Sequence, residues 1–167
     1  MINGAGHQFF LGTAAALVKQ MDQEQIEKVL FASWRYEDEK LSFRWDPIED
    51  RQHAHMWTRP TKSTPKTVWA ANLLAFRGLQ LLPSVPGARR LETTGFIRLG
   101  RRGLFFTWPI WAGDLDKDPI RTMLAVAELG QECPDRRVLA RMGVSEVYRC
   151  ERVKVGKYTN FSPAQAV

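Results

Sequence analysis

At 167 residues and a formal net charge of +6, the chain is long enough to bury one hydrophobic core and too short for two ordinary domains. Its apolar fraction of 44% and charged fraction of 25% exclude a disordered tract or a fibrous repeat, and no uninterrupted apolar run approaches the roughly 18 residues needed to span a bilayer. The charge is uneven, with seven Lys/Arg against nine Asp/Glu in residues 1–60 and seventeen against nine in residues 61–167, so a basic surface in the later part is expected to meet nucleic acid or an acidic protein.

The first helix is predicted from GHQFFLGTAAALVKQM, where Phe10, Ala14, Leu17 and Met21 fall on one stripe. Asp22 follows as an N-cap for a second helix, DQEQIEKVLFASW, with Gln25 in capping-box position. Leu41, Phe43 and Trp45 then alternate with Ser42 and Arg44, predicting a half-buried strand that Asp46-Pro47 ends. After a loop, Thr64 and Pro65 predict the N-cap and first position of an enclosed helix through KTVWAANLLAFRGLQLLP. Phe96 to Arg98 and Leu104 to Thr107 predict two antiparallel strands joined by the turn Gly100–Gly103. Asp116 or Asp118 predicts the cap of a helix through DPIRTMLAVAELG with Pro119 at its first position. A short helix in PDRRVLARMG ends at Gly143, and Val147, Arg149, Glu151 and Val153 alternate in a final strand. Helices with mostly antiparallel strands and no regular βαβ alternation indicate α+β, a single domain of helices packed on a small sheet.

The densest set of reactive side chains lies in RWDPIEDRQHAHMW, residues 44–57. On an extended chain His53 and His55 share a face, and with Asp46 or Asp50 they offer a metal-ligand set for a metal-dependent nuclease or hydrolase. The opposing reading is a DPxED turn, whose carboxylates bond nearby amides, followed by a strand with two solvent-facing histidines. No GxSxG elbow, GxGxxG or GxxxxGK[ST] loop occurs. Cys133 and Cys150 lack CxxC spacing and a sequence-near histidine. No catalytic residue and no cofactor are therefore expected. Arg89, Arg90, Arg98, Arg101 and Arg102 cluster around a glycine-flanked hairpin tip, and Lys154 and Lys157 extend the positive set. Such side chains reach phosphates, while Phe105, Phe106, Trp108 and Trp111 beside them offer either base-stacking rings or core.

The blocks GAGHQFF, VLFASWRYEDEKLSFRWDPIEDRQHAHMW, VWAANLLAFRGLQLLPSVPG, RLETTGF, LFFTWPIW and VGKYTNFSPA, in this order, resemble an accessory protein family of type I-G (formerly I-U) CRISPR-Cas loci. That family is related to an extension of the helicase-nuclease of those systems. The resemblance runs from about Gly4 to Ala164 and corresponds to the carboxyl-terminal part of longer members. It implies a role in antiviral defence as a component of an RNA-guided complex, and it transfers no catalytic residue. The expectation is a non-catalytic cytoplasmic module, with no membrane partner, that contacts RNA or DNA or another Cas protein. The alternatives are the metal-dependent hydrolase and a purely protein-interacting domain.

Overall fold

The computed structural model describes residues 10–46, 48–49, 66–88, 90–100, 103–155 and 158–167. The fold is α+β, as the sequence predicts, with helices and small antiparallel sheets. The chain groups into two compact units, one running to Gly78 and including Val155–Asn160, the other comprising Leu79–Lys154 and Phe161–Val167.

In the first unit, α1 (Phe10–Gln20) and α2 (Gln23–Phe31) pack on α3 (Trp69–Gly78). The predicted stripe on α1 is the buried one: Ala14 and Leu17 enter the core with Phe43 and Leu73, and Phe10 and Met21 pack against them. The capping box at α2 also forms, with Gln25 N donating to Asp22 Oδ1 at 2.8 Å and Asp22 N donating to Gln25 Oε1 at 3.1 Å. The predicted strand over residues 41–45 does not form. Lys40 and Arg44 take positive φ values of 72° and 54°, which no strand accommodates, and side chains capture two of its amides. Phe43 N donates to Asn72 Oδ1 at 2.9 Å and Arg44 N to Ser42 Oγ at 2.8 Å. The apolar alternation still reports burial, because Leu41, Phe43 and Trp45 all pack in the core, with Phe43 and Trp45 rings stacked 4.7 Å apart.

Pairing is made instead by β1 (Asp38–Glu39) with β2 (Lys66–Thr67), antiparallel. Lys66 and Thr67 are therefore strand, and α3 begins later than predicted. Its first amide is satisfied from a distance: Trp69 N donates to Asp38 Oδ2 at 2.8 Å across 31 residues. The expected cap at Thr64 and Pro65 lies outside the described residues.

The second unit opens with a 3-10 turn (Leu79–Leu81) and a hairpin of β3 (Ser84–Pro86) with β4 (Leu91–Thr93). The main sheet has the order β5 (Phe96–Arg98), β6 (Leu104–Trp111), β7 (Val144–Val155) and β8 (Tyr158–Phe161), with β9 (Gln165–Ala166) also paired to β7. The hairpin of β5 and β6 has the expected antiparallel pairing, Phe96 opposite Phe106 and Arg98 opposite Leu104. Helix α4 (Lys117–Leu124) has Asp116 at its N-cap, which places Pro119 third rather than first. The helix stops near Ala125 because Val126 is extended, and residues Ala127–Gly130 form a separate 3-10 turn. Helix α5 (Arg136–Arg141) is capped by Asp135, whose carboxylate accepts from Arg137 N and Val138 N. Gly143 leaves α5 with φ of 83°, a conformation open to glycine at little cost. Leu129, Leu139, Val144 and Val147 form the core of this unit.

Candidate nucleic-acid interface

The register of the main sheet sorts its side chains into two faces, because residues directly opposite in an antiparallel pair project the same way. Arg98, Leu104 and Arg152 stand opposite one another across β5, β6 and β7. Phe96, Phe106 and Cys150 form the next row, and Trp108 and Tyr148 the one after. Lys154 lies two residues beyond Arg152 on β7 and so belongs to the same face. Val147 and Arg149, paired with Pro109 and Thr107, face the other way, toward the core built with Leu129 and Leu139.

The first face therefore carries both cationic side chains and aromatic rings. Arg98, Arg152 and Lys154 are exposed, and among the described residues none of them has a carboxylate partner. Strand spacing sets the backbones of Arg98 and Arg152 about 10 Å apart. Beyond them lies a run of half-buried rings: Phe96 meets Phe106 at 5.1 Å, Phe106 stacks on Trp108 at 5.3 Å, and Trp108 stacks on Tyr148 at 6.0 Å. Phe161 closes on Phe96 at 6.0 Å. Burial raises the Cys150 thiol above its ordinary value, which keeps it protonated and unreactive. At the far end of the sheet Glu146, opposite Ile110, is paired with Arg136, and the exposed Asp114, Asp116 and Asp118 follow β6, with Asp118 3.6 Å from Arg121.

Of the residues expected at the interface, Arg98 and Lys154 come together on this face. Arg90 is exposed in the β3–β4 connection, where its carbonyl accepts from Gly87 N at 2.7 Å. Arg89, Arg101, Arg102 and Lys157 lie outside the described residues. Arg152 is the residue that the sequence analysis passed over. The signal was present, since reading the second parity of β7 puts Tyr148, Cys150, Arg152 and Lys154 on one line. The four aromatics also divide, with Phe106 and Trp108 on the basic face and Phe105 on the other, while Trp111 lies past a register shift.

The opposite face is built around Arg149, only 6% exposed. Its Nε donates to Thr107 Oγ1 at 2.9 Å, Nη1 to the Glu132 carbonyl at 2.9 Å, and Nη2 to the carbonyls of Leu129 and Gln131 at 3.2 and 2.7 Å. Burial lowers its guanidinium below the ordinary value, opposed by Glu132 nearby. This arginine clamps the loop after Leu129 onto the sheet, and four of its five N–H donors are spent on the protein. A cleft of about 390 Å³ beside it is lined by Phe105, Glu132, Arg149 and Glu151 among others. Two carboxylates against one committed guanidinium make this cleft unsuited to a phosphate.

In the stretch 44–57, the described residues are engaged in local structure. Asp46 accepts from Tyr36 Oη at 2.6 Å and from Ile48 N at 2.8 Å, the turn role expected of an aspartate before proline. Burial, aided by this bond to Asp46, holds the Tyr36 phenol above its ordinary value. Glu49 is 2% exposed and accepts from Ser42 Oγ at 2.6 Å and Thr67 Oγ1 at 2.7 Å. Asn72 in turn donates to Thr67 Oγ1 at 2.8 Å and to the Val68 carbonyl at 3.0 Å. A buried carboxylate held this way pins three segments together. Asp50, His53 and His55 lie outside the described residues. Among the described residues no group of three or more His, Cys, Asp or Glu is arranged to hold a metal.

Comparison with known proteins finds no matching family model, curated protein or solved structure.

Proposed function

We propose that this chain is a non-catalytic module that contacts nucleic acid through the basic face of its main sheet, serving an RNA-guided antiviral complex of the CRISPR-Cas kind. The observation that carries the binding role is the convergence of Arg98, Arg152 and Lys154 on one sheet face, without carboxylate partners among the described residues. The basic excess of residues 61–167 supports it. The antiviral setting rests on the sequence blocks that resemble the type I-G accessory family.

Neutralised phosphates release counterions, so affinity falls as a power of salt concentration. The triple variant Arg98→Ala/Arg152→Ala/Lys154→Ala is expected to bind oligonucleotides more weakly and to lower the slope of log affinity against log salt by about 2. Arg101→Glu/Arg102→Glu tests the hairpin tip in the same assay. An unchanged slope, or no binding by the parent at low salt, would rule out the role. For the antiviral setting, the protein is expected to co-purify with effector proteins encoded beside a CRISPR array.

A second reading, a protein-interacting domain, is favoured by one observation in the first unit. Leu11 and Val18, seven residues apart on α1, are 73% and 52% exposed, and Phe31 at the end of α2 is 86% exposed. Exposed large apolar groups of this kind anchor partners. Phe31→Glu is expected to abolish co-purification with a protein partner while leaving oligonucleotide binding intact.

A further inference from the structure

We infer that the ligand of the basic sheet face is single-stranded, with one base stacked on Tyr148 in the place above Ala166. This rests on the nucleic-acid role proposed above and narrows it to one class of substrate. Three strands contribute to a transverse row: Trp108 on β6, Tyr148 opposite it on β7, and Ala166 opposite Tyr148 on β9. The first two members are rings, stacked 6.0 Å apart with an interplanar angle of 22°. The third is a methyl group on an exposed strand.

The Trp108 ring stacks on Phe106 along β6 and on Tyr148 across to β7, so two rings already occupy it. Tyr148 ends the stack. Among the described residues it makes no further ring contact, and the neighbour on its outer side puts nothing larger than a methyl on that face of the sheet. Strand spacing brings the next place in the row within about 5 Å, the range in which planar rings stack with an offset. A nucleobase is the flat group that suits such a place. Every base has a π-face, so the contact is indifferent to sequence.

The basic residues lie along the same strand. Arg152 is four residues from Tyr148 on β7, about 13 Å away on the same face, and Lys154 lies two residues further. A strand with one base on Tyr148 can run its phosphates along β7 toward them. A duplex keeps its base faces inside its own stack and presents phosphates alone. Ribose and deoxyribose strands share the base and phosphate chemistry that this face recognises, so both belong in the test.

The experiment measures anisotropy of labelled oligouridylate, oligodeoxythymidylate and a blunt DNA duplex on the full chain at one salt concentration. Parent protein is expected to bind at least one single strand about tenfold more tightly than the duplex. Tyr148→Leu removes the ring, and Ala166→Ile fills the open place with a branched side chain that offers no flat face. Each is expected to weaken single-strand binding about five- to tenfold while leaving duplex binding unchanged. Ala166→Ile, on an exposed two-residue strand, guards against loss of fold in the Tyr148 variant. Equal affinity for duplex and single strand overturns the inference. So does a folded Ala166→Ile protein that binds single strands as the parent does. If Arg98→Ala/Arg152→Ala/Lys154→Ala still weakens binding in either case, the nucleic-acid role survives without the stacking site; if no nucleic acid binds the parent, both fall.

Discussion

Among single residues, the buried polar ones set the sharpest expectations. Arg149 satisfies three backbone carbonyls and a threonine, and removing it leaves those acceptors buried without a donor. Arg149→Met is expected to cost about 3 kcal/mol in urea unfolding, and Arg149→Lys is expected to recover only part of that, because an ammonium cannot reproduce the planar fork. Asn72→Ala breaks the links to Phe43 N, Thr67 and Val68, with an expected loss of about 2 kcal/mol by the same measurement. Tyr36 adds a pH dependence. Its phenol is raised in the folded protein, so its share of stability is present below the unfolded value of about 10 and is lost as pH rises above it. Alkaline unfolding is expected to be shallower in Tyr36→Phe than in the parent. None of these roles was legible from residue type alone. Arg149 reads as one more alternating strand residue, and Glu49 as a turn carboxylate, because the groups that satisfy them come from distant positions.

Elements were legible where the deciding chemistry is local. The stripe Phe10, Ala14, Leu17 and Met21 runs along a single helix and just past its end, and the Asp22–Gln25 box lies within one turn of the next; both appear as expected. Asp22→Ala is accordingly expected to cost about 1 kcal/mol in thermal or urea unfolding. Residues 41–45 show the opposite case. Their alternation correctly marks burial, yet the amides that a strand would pair are taken by Ser42 and Asn72, the latter 29 residues away. The start of α3 was misplaced for a similar reason, since its satisfying carboxylate comes from Asp38. In the hairpin of β5 and β6, Gly95 holds φ of 81°, and a Cβ there would meet the Phe106 ring at 2.6 Å. Gly95→Ala is expected to destabilise by about 2 kcal/mol, read from the urea midpoint.

For the molecule as a whole, part of the basic excess of residues 61–167 is gathered on the main sheet, one end of which holds Arg98, Arg152 and Lys154, while Glu146 toward the other end is paired with Arg136. Composition announced the excess, and the hairpin announced part of its location. The remainder needed the pairing of β6 with β7, because Arg98 and Arg152 are 54 positions apart in the chain and meet only through Leu104. The same pairing governs how the second unit assembles in time. The bond from Arg149 to Thr107 spans 42 residues, so the clamp can close only after β6 and β7 have found their register. An interaction of this sequence separation is expected to form on the native side of the folding barrier. Arg149→Met is then expected to accelerate unfolding while leaving the refolding rate nearly unchanged, a pattern visible in the two arms of a chevron plot. The arginine that holds a loop in place would thus act as a latch on the lifetime of the folded state.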